Sequence, residues 1–188
     1  MAYPKRKYAR SGYRRTNLNR SITRSIRNSQ ETKVHRTSGT FVADPSQFTN
    51  VELNNLGTGS DNGKRIGDKV LNTRLRAQLV CTNTGPARVV IYCPKAPNAS
   101  IPTTTAFGDI DPSEFWCLYD RVLGQGPTSN GFTTVNINKK LNFHTKWAGN
   151  SSNGFSSNPL KMYLYYQNVG EAIIPNIRGN FSVFYKDG

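Results

Sequence analysis

Residues 71–79 read Leu71-Asn72-Thr73-Arg74-Leu75-Arg76-Ala77-Gln78-Leu79. Leu71, Thr73, Leu75, Ala77 and Leu79 share one parity, and Asn72, Arg74, Arg76 and Gln78 share the other. Successive side chains of an extended chain point to opposite faces. This period of two therefore predicts a strand with one face in a core and one in water.

The same device recurs downstream. Over 135–143, Val135, Ile137, Leu141 and Phe143 oppose Asn136, Asn138, Lys140 and Asn142, with Lys139 interrupting the apolar face. Over 160–166, Leu160, Met162, Leu164 and Tyr166 oppose Lys161, Tyr163 and Tyr165. Over 177–185, Ile177, Phe181, Val183 and Tyr185 oppose Arg178, Asn180 and Ser182. Arg88-Val-Val-Ile-Tyr-Cys93 is a more continuous apolar run, as in a central strand. Phe115 to Val122 and Thr40 to Ala43 are weaker strand candidates.

Between these runs stand turn signals: Thr84-Gly85-Pro86, Gly124-Gln125-Gly126-Pro127, Asn130-Gly131, Asn153-Gly154 and Asn158-Pro159. Half-buried strands without the spacing of βαβ units predict an antiparallel sandwich or barrel. Long polar loops are expected at 54–66, 94–114 and 144–159, where such lengths usually serve function or neighbour contacts. There is no internal repeat of a solenoid or propeller. No apolar run is long enough for a transmembrane helix, and the charged N-terminus lacks the apolar core of a secretory signal.

Charge divides the chain. Residues 1–36 carry eleven of the 25 Lys/Arg and one acid, Glu31, whereas residues 37–188 carry fourteen Lys/Arg against ten acids. The 1–36 segment has few apolar residues and repeated like charges, so it is expected to be a disordered basic arm ahead of a folded 37–188 domain. Leu18, Ile22 and Ile26 are four apart, so a short amphipathic helix against a partner is a second possibility there.

A polycation beside a nearly neutral body implies a polyanion partner, because Lys and Arg on phosphates release condensed counterions. Lys5, Arg6, Lys7, Arg10, Arg14 and Arg15 interleave with Tyr3, Tyr8 and Tyr13, and Arg20, Arg24 and Arg27 extend the series. Arginine can grip phosphate with two donors and tyrosine can stack on exposed bases, which suits single-stranded nucleic acid. Neither contact reads sequence strongly. Fully extended, the arm would reach about 120–130 Å. Lys5, Arg6, Lys7, Arg14 and Arg15 also fit a nuclear localisation signal. Arg74 and Arg76, on the polar parity of the 71–79 strand, would extend the nucleic-acid-binding surface onto the body.

Catalytic chemistry is poorly represented. His35 and His144 lack spaced ligand partners, so no metal site and no cofactor is expected. Among the acids, Asp109, Asp111, Glu114 and Asp120 cluster, but Asp111-Pro112-Ser113-Glu114 reads as a capped turn. Gly57-Thr-Gly59 and Gly63-Lys64-Arg65 lack the spacing and hydroxyl of a phosphate-binding loop. Cys81, Cys93 and Cys117 are odd in number and scattered, and are expected as free thiols. An enzyme is not expected.

A basic Arg/Tyr arm followed by one β-domain resembles the capsid proteins of circular single-stranded DNA viruses, the circoviruses and their relatives. The likeness is carried by Gly57 to Val70 (GTGSDNGKRIGDKV) leading into LNTRLRAQLV, by Phe115–Val122 with Leu118-Tyr119-Asp120-Arg121, and by Leu160–Tyr166 and Ile177–Tyr185 as the last two strands. The resemblance implies a single eight-stranded antiparallel jelly-roll β-sandwich. It further implies sixty copies in an icosahedral T=1 shell, a packaged circular DNA genome, and nuclear import through the arm. The partners would then be further copies of the chain, single-stranded DNA, the host nuclear import machinery and a host-cell receptor. No membrane partner is expected, and the locations would be the virion and, during assembly, the host nucleus. Trp116, Trp147 and Phe155 are candidate interface anchors. A core position is the stronger alternative for Trp116 than for Trp147, which falls in an expected loop.

Other readings remain open at this point. A coat protein of a small RNA or satellite virus would carry the same arm physics. A cellular single-stranded nucleic-acid-binding module would expose aromatics on one sheet face, with Tyr163 and Tyr165 as candidates. A secreted carbohydrate-binding sandwich fits the arm and the N-terminus least.

Overall fold

The computed structural model describes residues 31–42, 49–82, 87–96, 108–123, 132–149, 154–166 and 176–188. The chain divides into two units, 1–31 and 32–188. The expected helix over 18–26 and the arm cations up to Arg27 lie outside the described residues.

Among the described residues of the second unit there are nine strands: β1 (Lys33–Val42), β2 (Thr49–Glu52), β3 (Lys69–Thr82), β4 (Ala87–Pro94), β5 (Phe115–Leu123), β6 (Phe132–Trp147), β7 (Phe155–Ser157), β8 (Lys161–Tyr166) and β9 (Asn176–Asp187). They form a five-stranded sheet in the order β1-β9-β3-β6-β7 and a four-stranded sheet in the order β2-β8-β4-β5. Every strand pairing is antiparallel. With the three-residue β7 set aside, eight strands wind between two four-stranded sheets, which is the jelly-roll order. β7 adds a ninth strand that the alternation did not reveal. Residues 33–36, read from the sequence as the end of the arm, are the first residues of β1 and pair with Tyr185 to Ser182 of β9. No helix among the described residues is long and apolar enough to cross a membrane.

The inner faces pack as the alternation predicts. Leu75, Ala77, Leu79 and Cys81 of β3, Ile137 and Leu141 of β6, and Ile177, Phe181 and Val183 of β9 meet Ala87, Val89 and Ile91 of β4 and Met162 and Leu164 of β8. β4 is buried on both faces, as its continuous apolar run suggests: Val90 and Tyr92 join Phe115, Tyr163 and Tyr165 in a second cluster. Tyr163 and Tyr165 are therefore buried, and the exposed aromatic platform expected of a cellular single-strand binder is not formed by them. Gly179 pairs with Gly39 across β9 and β1, and a Cβ on Gly179 would stand 2.6 Å from the Phe181 ring. The missing side chain is the space into which Phe181 folds.

The alternation fails in one place. A β-bulge falls between Asn72 and Arg74, where Thr73 is extra relative to β9. It reverses the parity of β3. Val70 and Asn72 point inward before it, and Leu75, Ala77, Leu79 and Cys81 point inward after it. Leu71 and Thr73, placed on the core face by the sequence, are only half-buried. Thr73 instead donates its hydroxyl to the Phe184 carbonyl at 3.0 Å.

The bulge brings Asn72 into a buried polar knot. Thr145 Oγ1 accepts from Asn72 Nδ2 at 2.8 Å and from Asn54 Nδ2 at 2.9 Å, and donates to the Asn158 carbonyl at 2.7 Å. Asn54 Oδ1 accepts the Leu160 amide at 2.9 Å. Asn158 sits at a φ of 53°, a left-handed conformation that asparagine tolerates, and donates to the His144 carbonyl. The knot ties the 53–56 loop, β3, β6 and the entry to β8 together.

Beside it, Arg65 is buried among backbone carbonyls. Its Nε donates to the Leu56 carbonyl and its terminal nitrogens to the carbonyls of Gly67 and Gly149, and the guanidinium lies 4.5 Å from the Trp147 ring centroid. Trp147 is 2% exposed and packs with Leu56, Val70, Tyr185 and Phe155. Trp116, by contrast, is 45% exposed. This reverses the expectation for the two tryptophans: β6 continues through 144–147, so Trp147 is a strand residue over the core end, whereas Trp116 lies on the edge strand β5.

Replacing Thr145 by valine keeps the shape, removes the hydroxyl partner of Asn54 Nδ2 and of the Asn158 carbonyl, and leaves Asn72 Nδ2 with its longer bond to the Phe143 carbonyl. Stability is expected to fall by about 1–3 kcal/mol for unsatisfied buried groups, read by chemical denaturation. A loss within experimental error would show the knot to be energetically idle.

Candidate nucleic-acid interface

The outer face of the five-stranded sheet is set by register. Paired residues of antiparallel strands share a face, so four rows run across β1, β9, β3 and β6. They are Val34–Phe184–Arg74–Lys140, Arg36–Ser182–Arg76–Asn138, Ser38–Asn180–Gln78–Asn136 and Thr40–Arg178–Val80–Thr134. These rows hold five cations, four carboxamides and no carboxylate. Arg36, Arg74, Arg76, Lys140 and Arg178 are all exposed.

Two local features show that charge balance did not shape this face. Arg74 stands directly opposite Lys140, and at the end of the same ladder Lys69 stands opposite Lys146. Like charges directly opposed across a ladder destabilise a sheet. Two acids of the flanking strands are committed to other cations. Asp187 pairs with Lys33 at 2.8 Å, and Asp120 grips Arg88 with both oxygens, at 2.6 and 2.7 Å. Arg76 has a different anchor, its guanidinium lying 5.4 Å from the Phe184 ring centroid.

Of the residues singled out from the sequence, Arg74 and Arg76 are thus brought together on one open face. Lys5, Arg6, Lys7, Arg10, Arg14, Arg15, Arg20, Arg24 and Arg27 lie outside the described residues. Arg36, Lys140 and Arg178 are additional members. Their parity was readable, but their adjacency depends on strand order, which hydropathy does not encode.

The remaining candidates take structural places. Asp111 accepts the Ser113 amide and hydroxyl at 2.7 and 2.6 Å, capping the turn into β5; these bonds hold its carboxyl below the usual range. Among the described residues no three His, Cys, Asp or Glu side chains converge as a metal site would require. Cys81 and Cys93 are buried free thiols and Cys117 is exposed. His35 is half-buried and 3.1 Å from the Thr37 hydroxyl; burial lowers its pKa. Within the 57–65 loop the amides of Gly59, Lys64 and Arg65 donate to the carbonyls of Arg65, Asp61 and Gly57, so the loop closes on itself.

Among the described residues, the outer side of the four-stranded sheet holds the buried Val90, Tyr92, Phe115, Tyr163 and Tyr165 cluster, and its charges are paired, Arg88 with Asp120 and Lys161 with Glu52. Where the edges of β5 and β6 face each other, a cleft of about 520 Å³ is lined by Cys117 to Arg121 and Val135 to Lys139. Lys139 occupies an inward register position opposite Leu75 yet is exposed at this cleft.

No protein family and no curated protein matches the chain. Solved structures similar to it include Desmodium yellow mottle tymovirus, with a TM-score of 0.38 and 14% identity over 84% of this chain and 89% of that one. The 60-mer capsid protein of beak and feather disease virus gives a TM-score of 0.34 and 11% identity over 85% of this chain and 94% of that one. The VP2 subviral particle of infectious bursal disease virus gives 0.29 and 11% over 84% of this chain and 34% of that one. These are distant likenesses, and the chemistry of the site rests on the chain's own residues.

Lys140→Glu would set a carboxylate opposite Arg74. If the like-charge pair is unrelieved, the variant should be more stable by about 0.2–1 kcal/mol in denaturation at low salt, with the gain shrinking as salt screens it. A destabilised variant would contradict the repulsion.

Proposed function

We propose that the chain is the coat protein of a small non-enveloped virus: a jelly-roll subunit that assembles with its own copies into an icosahedral shell, sixty in number, and holds a circular single-stranded DNA genome inside. The observation that carries this reading is the segregation of positive charge. Eleven Lys/Arg fall within residues 1–36, and the body adds a carboxylate-free sheet face with Arg74 opposed to Lys140.

A polyanion answers both features at once. Phosphates laid on Lys5, Arg6, Lys7, Arg10, Arg14, Arg15, Arg20, Arg24 and Arg27 release counterions, and tyrosines among them stack on bases. On the body, phosphates between Arg74, Arg76 and Lys140 convert mutual repulsion into attraction. The repulsion is then a cost borne by the free subunit and relieved by cargo, which couples packaging to assembly. Lys5, Arg6, Lys7, Arg14 and Arg15 would serve as the nuclear import signal on the way to a nuclear assembly site. An RNA genome would be held by the same contacts, and nuclease typing of the cargo separates the two.

Because β1 begins at Lys33, a clean arm deletion ends at Glu31. The deleted protein should fold but retain little nucleic acid, with a shallower dependence of affinity on salt than the full chain. Undiminished capture would refute the tether. Full-length protein should form closed particles of one size under negative-stain microscopy, and a strictly monomeric protein at high concentration across pH and salt would refute the shell.

A further inference from the structure

The cationic face has an interior that charge does not explain. Its third row places Asn180 of β9, Gln78 of β3 and Asn136 of β6 side by side, and Asn138 follows in the row before. Neighbouring strands lie about 4.8 Å apart and alternate residues of one strand about 6.8 Å apart. Gln78 is therefore one strand spacing from both Asn180 and Asn136, and Asn138 is the next outward residue along β6 from Asn136; all four are exposed. With Ala77 and Ile137 they line a shallow groove of about 360 Å³ that Arg76 and Ser182 also border. Arg178 stands one row beyond.

Phosphate recognition alone would favour more cations here. A carboxamide presents a donor and an acceptor side by side, and can change neither charge nor protonation. That pattern complements a base edge which also carries adjacent donor and acceptor groups. The Watson–Crick edge of every unpaired base carries such a pair, but adenine alone carries a second one on its N7 edge, where asparagine or glutamine meets N6 and N7. An arginine to either side of the carboxamides would hold the phosphates flanking such a base.

We propose that this groove, floored by Gln78, Asn136, Asn138 and Asn180, is a base-reading subsite that takes an unpaired adenine of the bound strand, with Arg76 and Arg178 on its flanking phosphates. The proposal rests on the reading of the protein as a single-stranded nucleic-acid packager. It goes beyond it by giving an otherwise non-specific tether a preference for base identity, supplied by the sheet and not by the arm.

The test uses the full chain and homopolymeric deoxyoligonucleotides of equal length, dA, dT and dC, with affinities measured at fixed salt. The double substitution Gln78→Leu with Asn136→Leu should weaken dA binding by about tenfold and dT binding by less than about twofold, the loss expected for a bidentate base contact. The slope of affinity against salt should stay unchanged, because no cation is removed. Gln78→Met, close in size and uncharged but without the carboxamide's donor and acceptor, should repeat the selective loss on dA without altering packing or charge.

Equal losses on all three oligonucleotides, or an unchanged preference for dA in both variants, would overturn the subsite while leaving the packaging role intact. So would variants that reduce particle yield and leave the base preference untouched, since the groove would then be a contact between copies of the chain. If the wild-type chain binds none of the oligonucleotides, the packaging reading falls and takes the subsite with it.

Discussion

β3 is central to the five-stranded sheet, and its two sides cannot be changed independently. Each residue of an extended strand faces either the core or the solvent. Leu75, Ala77, Leu79 and Cys81 go inward, so Arg74, Arg76 and Gln78 must go outward. The apolar set holds the two sheets together and thereby fixes the register with β9 and β6. The same register then decides which cations become neighbours. The cationic face is a geometric consequence of the core, and a slip of one residue would bury the arginines and expose the leucines.

That coupling explains how a sheet tolerates Arg74 opposite Lys140. Burial of the inner face supplies far more stabilisation than the repulsion removes. A fully buried leucine is worth about 1.5–3 kcal/mol, whereas an opposed like-charge pair costs less than about 1 kcal/mol. The sandwich therefore has room to carry an uncompensated surface. The two sheets use their outer sides differently: the four-stranded sheet buries Tyr92, Tyr163 and Tyr165 there, and the five-stranded sheet leaves its side basic and open.

Much of this was legible in the residues. Period-two patterning located β3, β6, β8 and β9, and continuous apolarity marked β4, because hydropathy reports burial directly. The parity of Leu71 and Thr73 was misread because a bulge is an insertion in backbone pairing and leaves no trace in side-chain polarity. The tryptophans were reversed for a related reason. Trp147 lies beyond the last alternating apolar residue, yet β6 runs on to it, with the Thr145 bonds and Arg65 at that end of the strand. Gly57 to Arg65, weak as a phosphate loop, is the self-bonded loop that delivers Arg65 to Trp147. Arg74 and Arg76 could be assigned a face from one strand alone. Arg36, Lys140 and Arg178 could not be joined to them until the order β1-β9-β3-β6 was known.

The measurement that bears most directly on the account is photo-crosslinking of nucleic acid to the full-length protein, with the modified peptides mapped by mass spectrometry. The account predicts adducts on peptides carrying the outer positions of β3, β6 and β9, around Arg74 to Gln78, Asn136 to Lys140 and Arg178 to Ser182, together with the 1–31 segment. Adducts confined to 1–31, or spread over β4 and β5 with none on the five-stranded sheet, would contradict it.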